Sequence, residues 1–551
     1  MKLKILINTI MLYCCFASYG QTSDWIWAKN AVGKGYEIAN CVKVDAFGNN
    51  YIVGHFFSDT LIFGNTTLTN KGSINDDGDI FIAKCDANGN VLWVKSAGGI
   101  GDDRAFSIAL DTFGNIYIAG YYSWSPTITF DSITLTGGDY ANIFLAKYNV
   151  DGNVLWVKSA GGTSNVQANS IIVDASGNIY MTGFFRSSTI TFGSFTLTNS
   201  GYDDIFLTKY NTNGDVLWAK KAGGTNRDEA NSVSVDALGN AYITGFFEST
   251  TFTLDTITLI NTNSDTTGDI FLAKYDGNGN VIWAKNAYGI NSDLAESLAI
   301  DKWGNIYMTG LSSSSSISFG SSILTNSGSY YILFLTKYDV GGNVLWAKSI
   351  GGTGYDEAKS IAIDTFGNIY VTGYFTGTTF PIGSITLTNL SHGNNENVFV
   401  AKFDNIGNVI WAVNVGGDGS ARSNSVAVDD SENSYIAGFY NYYSLTFGST
   451  SLIHYGDWDI FLAKLSNSVG ITKVNDKNSI IFFPNPSNNY ITIETQQTSS
   501  LDIFNLEGQL LKTIFKVGNN TTIDISDLLA GVYFIKATSE KGIIMSKFIK
   551  E

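Results

Sequence analysis

Histidine, cysteine, proline and positive charge are all scarce in this chain: 3 His, 4 Cys, 4 Pro and 33 Lys plus Arg among 551 residues. Each shortage excludes something. His55, His392 and His454 stand singly, with no H-E-x-x-H, no G-x-S-x-G and no paired-cysteine spacing, so metal-hydrolase, serine-nucleophile and zinc chemistries lack their ligands. No metal or cofactor is expected. Against 49 acidic residues the few basic ones leave a net charge of −16, a surface that repels nucleic-acid phosphates and anionic lipid. The apolar run from Ile5 to about Ala17, behind Lys2 and Lys4, is too short to span a bilayer and reads as a signal peptide over residues 1–20. Tyr13 before Cys14, and Cys14 before Cys15, are poor neighbours for a lipoprotein anchor. Cys14 and Cys15 leave with that leader. The remaining Cys41 and Cys85 fall at non-equivalent places and read as buried thiols rather than a disulfide framework.

What is abundant is glycine, at 58 residues, with 35 Phe, 29 Tyr and 11 Trp, the composition of many short strands joined by tight turns. The chain repeats itself. A motif D-x-x-G-N-x-Y is anchored at Asp45, Asp111, Asp174, Asp236, Asp301, Asp364 and Asp429, and a tryptophan stands eighteen residues before each: Trp27, Trp93, Trp156, Trp218, Trp283, Trp346 and Trp411. Phe81, Phe144, Phe206, Phe271, Phe334, Phe399 and Phe461 mark an I-F-L-A-K-like strand between them. Period-two patterning gives four strands per unit, A (S-I-A-I-D), B (N-I-Y-V-T-G-Y-F), C (I-F-L-A-K-Y) and D (N-V-L-W-A-K-S). All length variation lies between the glycine ending strand B and the next Phe, an interval of 23 to 27 residues. The A–B motif is turn chemistry: Gly and Asn supply positive φ, and Asp accepts hydrogen bonds from the turn's own amides. Only the seventh copy departs, with Glu432 in place of glycine, at an expected cost in backbone strain.

Four strands cannot bury both sheet faces alone, so the units must stack in a pile or a circle. The ends of the repeat favour the circle. A lone strand D, SDWIWAKN, comes first, and the seventh unit stops at DIFLAKLSNS without one. The expected fold is therefore all-β: a seven-bladed β-propeller over residues 24–466, with the N-terminal strand completing the last blade and removing exposed edges. This stretch resembles the SBBP-type β-propeller repeat family, through alternating G-N-x-Y-x-x-G and D-x-F-x-A-K-x-x-x-x-G-x-x-x-W. That resemblance implies a fold and no common catalytic activity.

After a linker at 467–478 the period stops, and about seven short strands over 479–551 predict a small Ig-like β-sandwich. The tail looks like the type A C-terminal sorting domain of the type IX secretion system, through Pro484-Asn485-Pro486, Leu529-Ala530-Gly531-Val532-Tyr533 and a basic last strand with Lys547 and Lys550. The resemblance implies passage through the outer membrane of a Gram-negative bacterium, then surface attachment or release, with the type IX machinery as partner.

Residues repeated seven times serve the ring: the strand-B tyrosines are expected to pack, and the strand-C lysines, Lys84 to Lys464, to snorkel along the sheet. The repeating turn before each Trp fits neither the sialidase Asp box nor a quinone site, since Asp86 has Gly89 and Trp93 at three and seven residues. NDDGD at 75–79 lacks the spaced ligands of a calcium loop. Function should sit where the copies disagree. B–C segments and D–A loops should rim one mouth of the channel, bringing Trp124, Tyr140, Tyr442, Tyr443, Tyr455 and Trp458 beside Asp102, Asp103, Asp228, Glu229, Asp293, Glu296, Asp356 and Glu357. Two readings stay open: a monomeric, non-enzymatic binding or adhesion propeller contacting glycan or protein, and a polysaccharide hydrolase or lyase using paired carboxylates at the mouth.

Overall fold

The computed structural model describes residues 25–551 apart from 73–76, 138–139, 262–266, 327, 329, 392–394, 442, 468–480, 484–485, 495–499, 506–508, 516–520 and 540–541. The predicted leader, Tyr442, His392, Pro484, Asn485 and part of NDDGD lie outside the described residues. Every regular element described is a β-strand, and among the described residues no helix is long and apolar enough to cross a membrane. Two compact units divide between Val469 and Gly470.

In the larger unit each repeat forms an antiparallel A-B-C-D sheet, for example Asp228–Val235, Ala241–Phe247, Asp269–Tyr275 and Val281–Ala287. The first strand, Trp25–Val32, pairs antiparallel with Asp459–Leu465 of the seventh repeat, from Trp25 opposite Leu465 to Ala31 opposite Ile460. Strand B is buried along its whole length in three units and at all but one residue in the other four, which explains its continuous Ile, Tyr, Val and Phe content.

The tryptophans join one unit to the next. Indole Nε1 of Trp27, Trp93, Trp156, Trp218 and Trp283 donates to a carbonyl in the following unit's C–D turn, at Ala87, Val150, Thr212, Gly277 and Val340, over 3.0–3.3 Å. A Cβ on the turn glycine would stand about 3 Å from the ring, as at Gly89 against Trp27, and that glycine also holds φ +76°. Both constraints fix glycine there. The strand-C lysines do not snorkel. Lys84, Lys147, Lys209, Lys274, Lys337, Lys402 and Lys464 are buried over the strand-B tyrosine rings at 4.7–5.1 Å. Lys84, Lys147, Lys209 and Lys337 also donate to the next unit's C–D turn carbonyls. The cation–π contact and the carbonyl together replace the water that the ammonium gives up.

The A–B turn behaves as its chemistry predicts. In the first unit Asp45 Oδ1 accepts from the amides of Phe47 and Asn49, while the Asn49 side-chain amide and the Tyr51 hydroxyl donate to Oδ2. Glu432 does adopt the left-handed φ, at 62°. Its carboxylate accepts from buried Lys402 Nζ at 2.5 Å and from Asn467 Nδ2 at 2.9 Å, which offsets the strain. Glu432→Gln keeps the strain and loses the charge, so its stability by denaturant titration should fall by about 1–2 kcal/mol. Glu432→Gly relieves the backbone and should lose less. Equal stability of wild type and the Gln variant would remove the ion pair from this account.

The B–C segment departs from expectation. Most of it is a short outer hairpin, such as Thr127–Phe130 with Ile133–Thr136, and this hairpin pairs with strand D of the preceding unit instead of rimming the mouth. The same addition joins Thr60–Phe63 to the first strand, Thr251–Leu254 to Val216–Gly223, and Ser444–Phe447 to Val409–Gly417. An outermost strand would otherwise leave its backbone groups unpaired. Apart from one extra residue ahead of Thr127 in the second unit, length variation is thereby pushed into the link between hairpin and strand C, for example 70–78 in the first unit against 199–203 in the third.

In the smaller unit, Ile481–Phe483, Tyr490–Glu494 and Thr521–Asp524 form one sheet, and Leu510–Phe515, Ser500–Phe504, Gly531–Ser539 and Gly542–Lys550 another. Ile491, Leu501, Ile503, Ile523, Ile535 and Phe548 meet in its core.

Candidate functional site: the channel and the D–A end of the repeats

Every strand A carries a register shift at the same place, after Ala39 in the first unit and after Ala105, Ala168, Ala230, Ala295, Ala358 and Ser423 in the others. The residue set free by each bulge lines one cavity of about 370 Å³: Asn40, Phe106, Asn169, Asn231, Glu296, Lys359 and Asn424. The four asparagines reach round to the next unit, Asn40 donating to Ala105 O, Asn169 to Ala230 O, Asn231 to Ala295 O and Asn424 to Ala39 O, over 2.7–3.0 Å. One residue on, serine hydroxyls accept a backbone N–H from the following unit, as Ser107 does from Ile171 and Ser425 from Val42. Cys41 takes the serine's place in the first unit and is half-buried; Cys85 is buried, its thiol pushed up to about 12 by desolvation, and both are free. Sequence reading missed this ring. Its signal was the A-N-S triplet and its variants, five residues ahead of each repeating Asp, where Phe106, Glu296 and Lys359 break the pattern.

The expected acidic mouth is largely internal. Asp103, Asp228, Asp293 and Asp356 are buried at the start of strand A, with Glu37 in the equivalent place of the first unit. Asp228 accepts from the Gly224 amide and from Ser249 through both its amide and hydroxyl; Asp356 accepts from the Gly352 and Thr376 amides; Asp103 accepts from the Gly99 amide. These carboxyls tie the D–A turn to the end of strand B, which is why an acid stands there. Burial pushes them up, Asp103 to about 9, Glu37 to about 8, and Asp228 and Asp293 to about 7. The remaining acids are neutralised. Asp102 accepts from Arg104 Nε and from the Tyr121 hydroxyl, both at 2.9 Å; Glu229 accepts from Arg227 Nε; Lys359 lies between Glu296 at 2.8 Å and Glu357 at 2.5 Å.

Aromatics at this end do gather. Trp124 and Tyr140, both exposed, have ring centroids 6.5 Å apart. Tyr443 and Trp458 join Tyr36 and His454 around a cleft of about 590 Å³ between the seventh and first repeats, and Tyr455 is exposed in the same link. Two clusters were overlooked: Tyr330 stacked on Tyr355 at 4.1 Å, and Tyr202 under the Arg186 guanidinium at 4.0 Å. They occupy the same links, so the criterion that found Tyr140 and Trp458 could have found them. His55 is fully buried beside Phe57 and Phe106, and desolvation lowers it to about 3.

Profiles of two known families match this sequence. "Beta-propeller repeat" matches residues 92–121 and 345–381, and "Secretion system C-terminal sorting domain" matches residues 481–551. The chain carries SBBP β-propeller repeats and a C-terminal sorting domain. Among curated relatives, an uncharacterized WD repeat-containing protein, L264, of Acanthamoeba polyphaga mimivirus is 26% identical over 473 residues, covering 71% of this chain and 34% of its own. The regulatory protein FlaEY of Caulobacter vibrioides is 25% identical over 200 residues, covering 35% and 20%. The chain thus spans about a third or less of the curated relatives it matches. Among solved structures, Sqt1 from Chaetomium thermophilum aligns over 86% of this chain and 96% of its own at 8% identity and TM-score 0.38; a mutant puromycin hydrolase complexed with PGG aligns over 88% and 62% at 10% and 0.39.

The sorting domain implies handling by the type IX secretion machinery, and hence export of the propeller repeats. Of its expected signal residues, Pro486 and Lys547 are exposed and Gly531 opens the long strand paired with the last one. Tyr533 stacks on Phe548 at 5.5 Å and donates its hydroxyl to Leu529 O, while Lys550 is buried next to the Ser487 bridge.

Proposed function

We propose that residues 24–466 form a closed seven-bladed propeller whose D–A end binds a glycan or protein without catalysis, and that residues 1–20 and 479–551 bring it to the surface of a Gram-negative cell or beyond. The linker at 467–478 joins propeller and sorting sandwich, and the mature chain is a monomer. Closure is supported by the pairing of Trp25–Val32 with the seventh repeat, by Trp27 on the first repeat's turn, and by the Asn424 to Ala39 bond. The observation carrying the binding reading is that exposed aromatics in the links and D–A loops of one end pair with one another and line a cleft, whereas Phe47, Phe113, Trp303 and Phe366, exposed in the A–B turns, hold one repeated turn position. Rigid aromatics with a polar rim bind at low entropic cost. The acids there are held by Arg, Lys or backbone amides, so the hydrolase reading gains no support from them. Glycan and peptide arrays probed with the mature chain should give hits that weaken when Tyr443 or Trp124 is truncated. A folded protein silent on both arrays would refute binding at this end.

A further inference from the structure

Among the described residues, four other than glycine hold a left-handed backbone: Trp124, Asp131, Asp255 and Glu432, with φ of 52–62°. Three are accounted for by their place. Asp131 and Asp255 occupy the hairpin-turn position where other units have Gly64, Gly193, Gly320, Gly383 and Gly448, and Glu432 replaces the A–B turn glycine. Trp124 replaces no glycine. It belongs to an insertion: six residues separate the glycine of strand B from the first hairpin strand in the other units, as from Gly183 to Thr189, but seven separate Gly120 from Thr127. A bulky side chain in this conformation is strained, and strain of this kind gathers at ligand-binding places.

The indole stands 67% exposed at the edge of a cavity of about 200 Å³ between the second and third units. The cavity lies below the 300–1,000 Å³ or so of a drug-sized ligand site, so it suits a group about the size of one ring rather than a peptide turn. Its polar lining is held in place. Asp102 is fixed by Arg104 and Tyr121; Arg186 forks onto Asp203 through Nε and Nη2, both at 2.9 Å; Gln167 donates to Asn169. Both charge signs are already matched, which favours a neutral ligand with many hydroxyls over an ionic one. A flat apolar ring face beside fixed planar donors and acceptors is the pattern that accepts a pyranose, its C–H face on the aromatic and its hydroxyls on the rim.

We propose that this cavity binds one neutral pyranose unit of a polysaccharide, stacked on Trp124, with Asp102, Gln167 and Arg186 reading its hydroxyls. The inference rests on the binding role proposed above. Trp124→Gly tests it because glycine relaxes the backbone while removing the ring. The mature chain and its variants would be titrated with neutral gluco-, manno-, galacto- and xylo-tetraoses by calorimetry and saturation-transfer NMR. At least one sugar should bind wild type, and Trp124→Gly should weaken it at least about tenfold, or about 1.4 kcal/mol, with the thermal midpoint unchanged or raised. Trp124→Phe should fall between. Undiminished binding by Trp124→Gly would overturn this site, and loss on Tyr443→Ala instead would leave the wider binding reading standing. Trp124-dependent hits on a peptide array without any sugar binding would overturn the ligand class. Silence toward both would overturn the site and the wider reading together.

Discussion

Deletion of the residues up to Val32 should lower the thermal midpoint of the propeller by more than roughly 10 °C and broaden its transition. The first strand covers Asp459–Leu465, and its loss exposes that strand's backbone and the Phe461 neighbourhood as a new sheet edge. Trp25 leaves its edge-on contact with Phe447 at 4.8 Å, and Trp27 leaves Tyr435 and the Ala87 carbonyl. Burial of two tryptophans alone is worth several kcal/mol by analogy with large-to-small core changes. Added in trans, a peptide of residues 22–34 should restore much of the midpoint by strand addition. A truncated chain melting with wild type, or one indifferent to the peptide, would mean that the stability of the repeats does not depend on this strand.

Raising the pH from about 5 to about 9 should destabilise the same domain. Glu37, Asp79, Asp103, Asp228 and Asp293 are buried, with folded pKa values pushed by desolvation to about 8, 7, 9, 7 and 7. In the unfolded chain such groups titrate near 4. Between those values the folded state holds protons that the unfolded state has released, so stability is full below about pH 4 and drains away as pH rises through 7 to 9. His55 works in the opposite sense. Lowered to about 3, it contributes stability above its unfolded value near 6.5 that is lost as pH falls toward 3. One histidine against five carboxyls puts the optimum near pH 4, with a net loss on the order of 10 kcal/mol by pH 9. Thermal midpoints at pH 5, 7 and 9 would measure it. Asp79→Asn should flatten the slope, because the equivalent positions already hold Asn142 and Asn397. A midpoint that climbs steadily to pH 9 would contradict protonated carboxyls in the folded state.

The two predictions concern features that differ in how visible they were beforehand. The half-unit at each end of the repeat could be counted, since strand phase is written in a period of two and in fixed Trp and Phe spacings. The buried carboxyls could not, because D-E after a glycine-rich turn reads equally as a solvated loop. The outer hairpins show their alternation plainly, as in TITFDSITLT, yet where such a hairpin joins a larger sheet its partner strand belongs to the preceding unit, and no local pattern names it. The channel ring was hidden for another reason. A bulge advances the side-chain parity by one, so strict alternation along strand A assigns the wrong residues to the channel. Trp124 was picked out as an odd aromatic, but its backbone conformation and its cavity were not legible.

By itself the sequence determined the all-β class, the repeating four-strand unit, the turn chemistry at each Asp and the sorting tail, all of which follow from local propensity and fixed spacing. Tertiary structure decided which acids are buried, which residues face the channel and which aromatics share a cavity. Those outcomes depend on neighbours some sixty residues away in the chain, as Asn169 on Ala230 does, and a side chain's environment is set by what packs against it rather than by the residues beside it in sequence.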